Sequence, residues 1–129
     1  MNMVRISASI LSFYFDAKIG KFPDSVMIDN INKGLKEKKD RFEILHLDIM
    51  DGKFVKHKSF SASNIRKIKS PCKAEAHLMV IDYKKYIKDY FQSADMFIIH
   101  REVLSKLAKC LPLKYFRCPL KSREYLICY

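Results

Sequence analysis

Residues 42–52 read Phe42-Glu43-Ile44-Leu45-His46-Leu47-Asp48-Ile49-Met50-Asp51-Gly52. Phe42 to Leu47 has the length and apolar content of a strand, and the run continues into an Asp-Gly pair that signals a turn. On a strand, residues two apart share a face. His46, Asp48 and Met50 therefore point one way, and Leu47 and Ile49 the other. Ionisable groups on one face of an apolar strand are costly unless partnered. The face is either a set of satisfied core polar groups or a metal or acid–base site, and the strand alone leaves both open.

On either side of this strand the pattern repeats. Ile6 to Leu11 reads as a first strand. Asp24 to Lys38 has Val26, Met27, Ile31 and Leu35 near helical spacing, with Asp24 or Ser25 as cap. Ser61 to Lys69 reads as a short helix burying Ile65 and Ile68. Ala74 to Val80 is a third strand, and Tyr83 to Phe91 a helix capped by Asp82. Met96 to His100 is a fourth strand, Val103 to Cys110 a helix, and Leu113 to Cys118 a fifth strand. This β-α-β-α order, with strands of about five residues, predicts a parallel sheet with crossover helices. A (β/α) barrel and a doubly wound sheet both satisfy it. The absence of Gly-x-Gly-x-x-Gly and of a Walker pattern weighs against a nucleotide-binding version.

The 129 residues amount to one domain, 49% hydrophobic and 30% charged, which excludes wholesale disorder. No apolar run approaches the ~20 residues of a membrane span. Nothing resembling a signal peptide opens the sequence, so a cytoplasmic protein is expected. The net charge is +11. Its basic residues are mostly lysines spread along the chain to Lys121, without an arginine cluster or aromatic interleaving, which argues against nucleic acid and membrane and suits a phosphorylated small substrate. Cys72, Cys110, Cys118 and Cys128 form no C-x-x-C pair and no zinc spacing, so they read as reduced thiols. At the end of the third strand, His77 is placed to face the same barrel mouth as His46 and Asp48. Two imidazoles and a carboxylate make three ligands for a divalent metal with open positions. His100, taken alone, reads as a satisfied core histidine.

Six segments together resemble the ribulose-phosphate 3-epimerase family. They are Ser9-Ile10-Leu11, the run His46 through Val55 (His-x-Asp-x-Met-Asp-Gly-x-Phe-Val), His77-Leu78-Met79-Val80, Tyr86-Ile87, His100-Arg101-Glu102 and, more faintly, Pro119 with Ser122 to Leu126 as the turn and helix start after a fifth strand. The resemblance implies a partial (β/α)8 TIM barrel, covering about the first four to five β/α units. It implies that His46, Asp48 and His77 hold a divalent metal ion (Zn, Fe, Mn or Co), that Asp48 is a catalytic carboxylate, and that Ser9 and His77 contact substrate. It further implies that Met50 and Met79 line the pocket near the metal. The implied reaction removes and returns the C3 proton that separates D-ribulose 5-phosphate from D-xylulose 5-phosphate. A six-carbon ketose phosphate is the alternative substrate.

The sequence also departs from the family. Lys56-His57 stands where Pro-Asn is usual, and Phe60-Ser61 where Phe-Gly is usual. Gly20 to Asp24 marks an insertion, and Asp40-Arg41-Phe42 replaces Gly-Ala-Asp. The family's second catalytic carboxylate, on a seventh strand, and its phosphate-binding glycine loops have no counterpart in these 129 residues. The expectation is a truncated family member. Its alternatives are a half-barrel pairing with itself or a complementing half, an interaction module, and an inactive pseudoenzyme.

Overall fold

The computed structural model describes residues 5–13, 24–104 and 124–128. Strand β1 (Ser7–Ser9), helix α1 (Asp24–Glu37), strand β2 (Ile44–Met50), helix α2 (Ala62–Ile65), strand β3 (Lys73–Met79), helix α3 (Tyr83–Tyr90), strand β4 (Met96–His100) and strand β5 (Glu124–Cys128) follow in that order. All neighbouring strands pair in parallel, and the spatial order is β1-β2-β3-β4-β5. A doubly wound sheet would reverse its order partway; a barrel wall adds each strand beside the last. The architecture is therefore α/β, a partial barrel wall, and the described strands form an open sheet.

The two faces of this sheet differ in chemistry. Along β2, Leu45, Leu47 and Ile49 are buried, while Ile44, His46, Asp48 and Met50 are only partly covered. In β3, Ala74, Ala76 and Leu78 are buried, whereas Glu75, His77 and Met79 stay partly open. The period of two thus sorts apolar side chains to the helix-covered side. There they join Met27, Ile28, Ile31 and Leu35 of α1, Ile65 of α2 and Tyr90 of α3 in one core. Burial of each large aliphatic chain contributes roughly 1.5–3 kcal/mol. The opposite face, which would line a barrel's interior, carries Ser7, Ser9, His46, Asp48, Glu75 and His77.

Local chemistry sets the element ends. α1 places its apolar residues at 27, 28, 31 and 35, one stripe of a helix, and has Asp24 in its first turn, where the helix dipole favours an acid. The Ser61 side chain accepts a hydrogen bond from the Asn64 N–H and caps α2, so the serine standing in the family's glycine position starts a helix. Asp82 caps α3 through the Lys85 N–H at 3.2 Å.

Four expectations shift. The first strand ends at Ser9, and Ile10–Phe13 is a 3-10 turn. The Ser9 hydroxyl accepts the Leu11 N–H at 3.1 Å, a local bond that competes with the strand ladder. The helix expected to reach Lys69 stops at Ile65. Asn32 of α1 explains this by holding the following segment in another shape: its amide donates to the Lys67 carbonyl at 3.0 Å and accepts the Lys69 N–H at 2.7 Å. Ile68 is accordingly only partly buried. After β4 the chain makes a 3-10 turn over Arg101–Val103; the helix expected to Cys110 and the strand expected over 113–118 otherwise lie outside the described residues. The fifth described strand covers Glu124–Cys128, where the family resemblance suggested a helix start. The run Tyr125-Leu126-Ile127 has the aromatic and branched composition that favours a strand beside β4.

Candidate metal centre

Parallel register brings the ionisable residues of β2 and β3 side by side. His46 is the Cα partner of Glu75, and Asp48 of His77. Ser9, the last residue of β1, is paired with His46. All these side chains leave the sheet on the face that the helices do not cover, toward the C-terminal ends of the strands, where barrel enzymes place their sites.

Asp48 is the centre of the group. Its Oδ1 lies 3.3 Å from His46 Nε2 and 3.7 Å from His77 Nδ1. Its Oδ2 accepts the Ser9 hydroxyl at 2.8 Å. One ligand atom from each of His46, Asp48 and His77 lies within 4.8 Å of the others, the spacing of donors around a shared cation. Two imidazoles and one carboxylate fit a divalent ion of the Zn, Fe, Mn or Co type.

The outer nitrogen of each imidazole is also engaged. His46 Nδ1 lies 2.8 Å from Glu75 Oε1, and the same oxygen accepts the Ser7 hydroxyl at 2.9 Å. His77 Nε2 lies 2.8 Å from His100 Nε2, and the two rings stack with centroids 4.9 Å apart. His100 Nδ1 in turn lies 3.7 Å from Glu102. Each histidine of the triad thus presents one nitrogen inward to Asp48 and one outward to a partner.

Charge follows geometry. Burial pushes the Asp48 carboxyl up, but hydrogen bonds with His46, His77 and Ser9 outweigh it and hold the group well below the usual carboxylate range. Asp48 is ionised at neutral pH. His46 is pushed up to about 9, chiefly by its bond to Asp48, against burial and with a further contribution from Glu75. His100 moves down through burial and the nearby His77, partly offset by Glu102. Without a metal, a proton on His46 supplies the positive charge between the two carboxylates.

Met50 and Met79 are Cα partners at the strand ends, one step beyond Asp48 and His77 on the same open face. A hollow of about 670 Å³ lies beside Met50, lined also by Leu11, Met27 and Phe60; none of His46, Asp48 and His77 lines it. Asp51 turns away from the triad's work. Its carboxylate accepts the backbone N–H groups of Lys53, Phe54 and Ile81 and so ties the turn after β2 to the end of β3.

The structure brings together all six residues singled out in the sequence, as the triad, Ser9 against Asp48, and the methionine pair. It adds Glu75 and His100. Glu75 was legible: it stands two residues before His77, so the alternation that sorted β2 places it on the same face. His100 is a satisfied histidine, as read, but a partly covered one whose partner is His77.

The family model described as ribulose-phosphate 3 epimerase matches residues 23–114, more than two-thirds of the chain. His46, Asp48, His77 and His100 fall inside that span, and Ser9 precedes it. No curated protein matches the chain.

Proposed function

The chain belongs to the ribulose-phosphate 3-epimerase family, and from that premise we propose that it takes part in metal-assisted proton transfer at C3 of a phosphorylated ketose, interconverting D-ribulose 5-phosphate and D-xylulose 5-phosphate. The observation that carries this reading is the convergence of His46 and His77 on one oxygen of Asp48. His46, Asp48 and His77 would hold the divalent ion. When bound, that ion supplies positive charge against the negative charge that develops on the substrate oxygens as the proton leaves.

The two oxygens of Asp48 then have separate tasks. Oδ1, between the imidazoles, belongs to the ligand set. Oδ2 is the proton carrier, and the Ser9 hydroxyl that donates to it at 2.8 Å fixes its direction. The carboxylate is kept ionised by its hydrogen bonds, ready to accept a proton from carbon. Inversion requires return of a proton to the opposite face, so a second carrier must stand across the substrate from Asp48. In the family that group comes from a later strand. Met50 and Met79 give the reacting end of the sugar an apolar boundary.

The test is turnover of D-ribulose 5-phosphate by the purified chain with added divalent metal, beside an Asp48→Ala control. Metal-dependent conversion that the control abolishes is the expected result. A folded, metal-loaded chain whose rate equals that of the control would overturn the proposal. A parallel assay with a six-carbon ketose phosphate sets the chain length of the substrate.

A further inference from the structure

His46 can offer Nε2 to a metal only if its proton sits on Nδ1. A neutral imidazole has one proton for two nitrogens, and the hydrogen bond at one nitrogen fixes which of them is free. Here Nε2 faces Asp48 Oδ1 at 3.3 Å, while Nδ1 faces Glu75 Oε1 at 2.8 Å. The Glu75 side chain is 12% exposed, so its charge is largely removed from water and its contacts are short and directed. Ser7 of β1, across β2 from Glu75, donates to the same oxygen at 2.9 Å. Glu75 is therefore held from two strands, in register with the histidine it meets. Among the described residues the outer nitrogen of His77 meets His100 and not a carboxylate.

From this we infer that Glu75 is a positioning residue for the metal site: it accepts the Nδ1–H hydrogen bond of His46, fixes the ring, and leaves the Nε2 lone pair aimed beside Asp48. The inference rests on the metal-site reading above. Without Glu75 the proton can move to Nε2, where Asp48 Oδ1 would accept it and the ligand lone pair would be lost. Outer partners of this kind typically change metal affinity by about 10–100-fold.

The experiment titrates Zn(II) alone into the full chain in competition with a chromophoric chelator. It compares the wild type with Glu75→Ala, Glu75→Gln and His46→Ala. The Gln carboxamide oxygen still accepts the Nδ1–H, so it retains the tautomer while removing the charge. The expected result is a loss of about 10–100-fold in Glu75→Ala and recovery to within a few-fold of wild type in Glu75→Gln. In the zinc-loaded protein, nitrogen-15 NMR should show the His46 Nδ1–H protected from solvent exchange in the wild type and in Glu75→Gln, and unprotected in Glu75→Ala. If Glu75→Ala binds Zn(II) as tightly as wild type, or Glu75→Gln falls as far as Glu75→Ala, the positioning role is overturned while the metal site stands. A wild-type chain that binds Zn(II) no better than His46→Ala overturns both.

Discussion

Asp48 divides its oxygens between two imidazoles and one hydroxyl, and each neighbour leaves a measurable trace. Replacing Asp48 by Asn keeps the shape and removes the charge, so it should abolish metal uptake at micromolar metal and lower turnover by roughly 10²–10⁴-fold, the range of a lost acid–base group. Ser9→Ala should keep the metal and reduce turnover by a smaller factor, about tenfold, because only the direction of Oδ2 is lost; equal losses of affinity and rate would contradict the separation of the two oxygens. His46 gives a pH signature in the metal-free chain. Its folded value, about 9, lies above its ordinary 6.5. The stabilising contribution of its proton is therefore complete below pH 6.5 and is lost as pH rises through about 9. Thermal unfolding in the presence of a chelator should show the melting temperature falling across that window. His46→Gln should flatten the slope, and an unchanged slope would show that the proton sits elsewhere.

The elements were legible where alternation or a helical stripe was strong. Strand β4 was read at its observed bounds, and β2, β3, α1 and α3 within one or two residues at most ends, because buried and open positions alternate or repeat cleanly. The misreadings have side-chain causes that periodicity does not see: Ser9 turning back on Leu11, and Asn32 of α1 clamping Lys67 and Lys69 out of a helix. Asp51-Gly52 was read as a turn, which it is, with Gly52 at φ 75°. Its larger role depends on Ile81, thirty residues away. Burial pushes the Asp51 carboxyl up, but N–H donors from Ile81, Phe54 and Lys53 bring it below its ordinary value. A depressed value means stability present above the ordinary carboxylate pKa and lost as pH falls below it. Asp51→Ala should destabilise the chain by about 1–3 kcal/mol at neutral pH, through lost charge-assisted bonds to the backbone. The difference from wild type should shrink in acid, as equilibrium denaturation in urea at several pH values would show. A difference constant with pH would mean that the ionised carboxylate is not what joins the two strand ends.

At the scale of the molecule, one sheet face is apolar and covered by helices, and the other gathers two serines, two histidines and two carboxylates from three adjacent strands. The motifs on β2 and β3 made the triad readable, since each lies on one strand and the strands are neighbours. Glu75 needed the register as well, because its importance lies in which histidine it faces. This arrangement makes a prediction about half a reaction. On the proposed reading Asp48 serves one face of the substrate carbon, so proton removal and return through Asp48 alone would exchange the C3 hydrogen with solvent without inverting the centre. In D₂O with added divalent metal, deuterium should therefore enter C3 of D-ribulose 5-phosphate faster than D-xylulose 5-phosphate forms. If a second copy of the chain brings a carrier to the opposite face, inversion per chain should climb with protein concentration until it keeps pace with exchange. NMR of the recovered sugar phosphate reads both quantities in one sample. Deuterium entry no greater than with Asp48→Asn, in a chain shown to be folded and zinc-loaded, would remove Asp48 from the chemistry altogether.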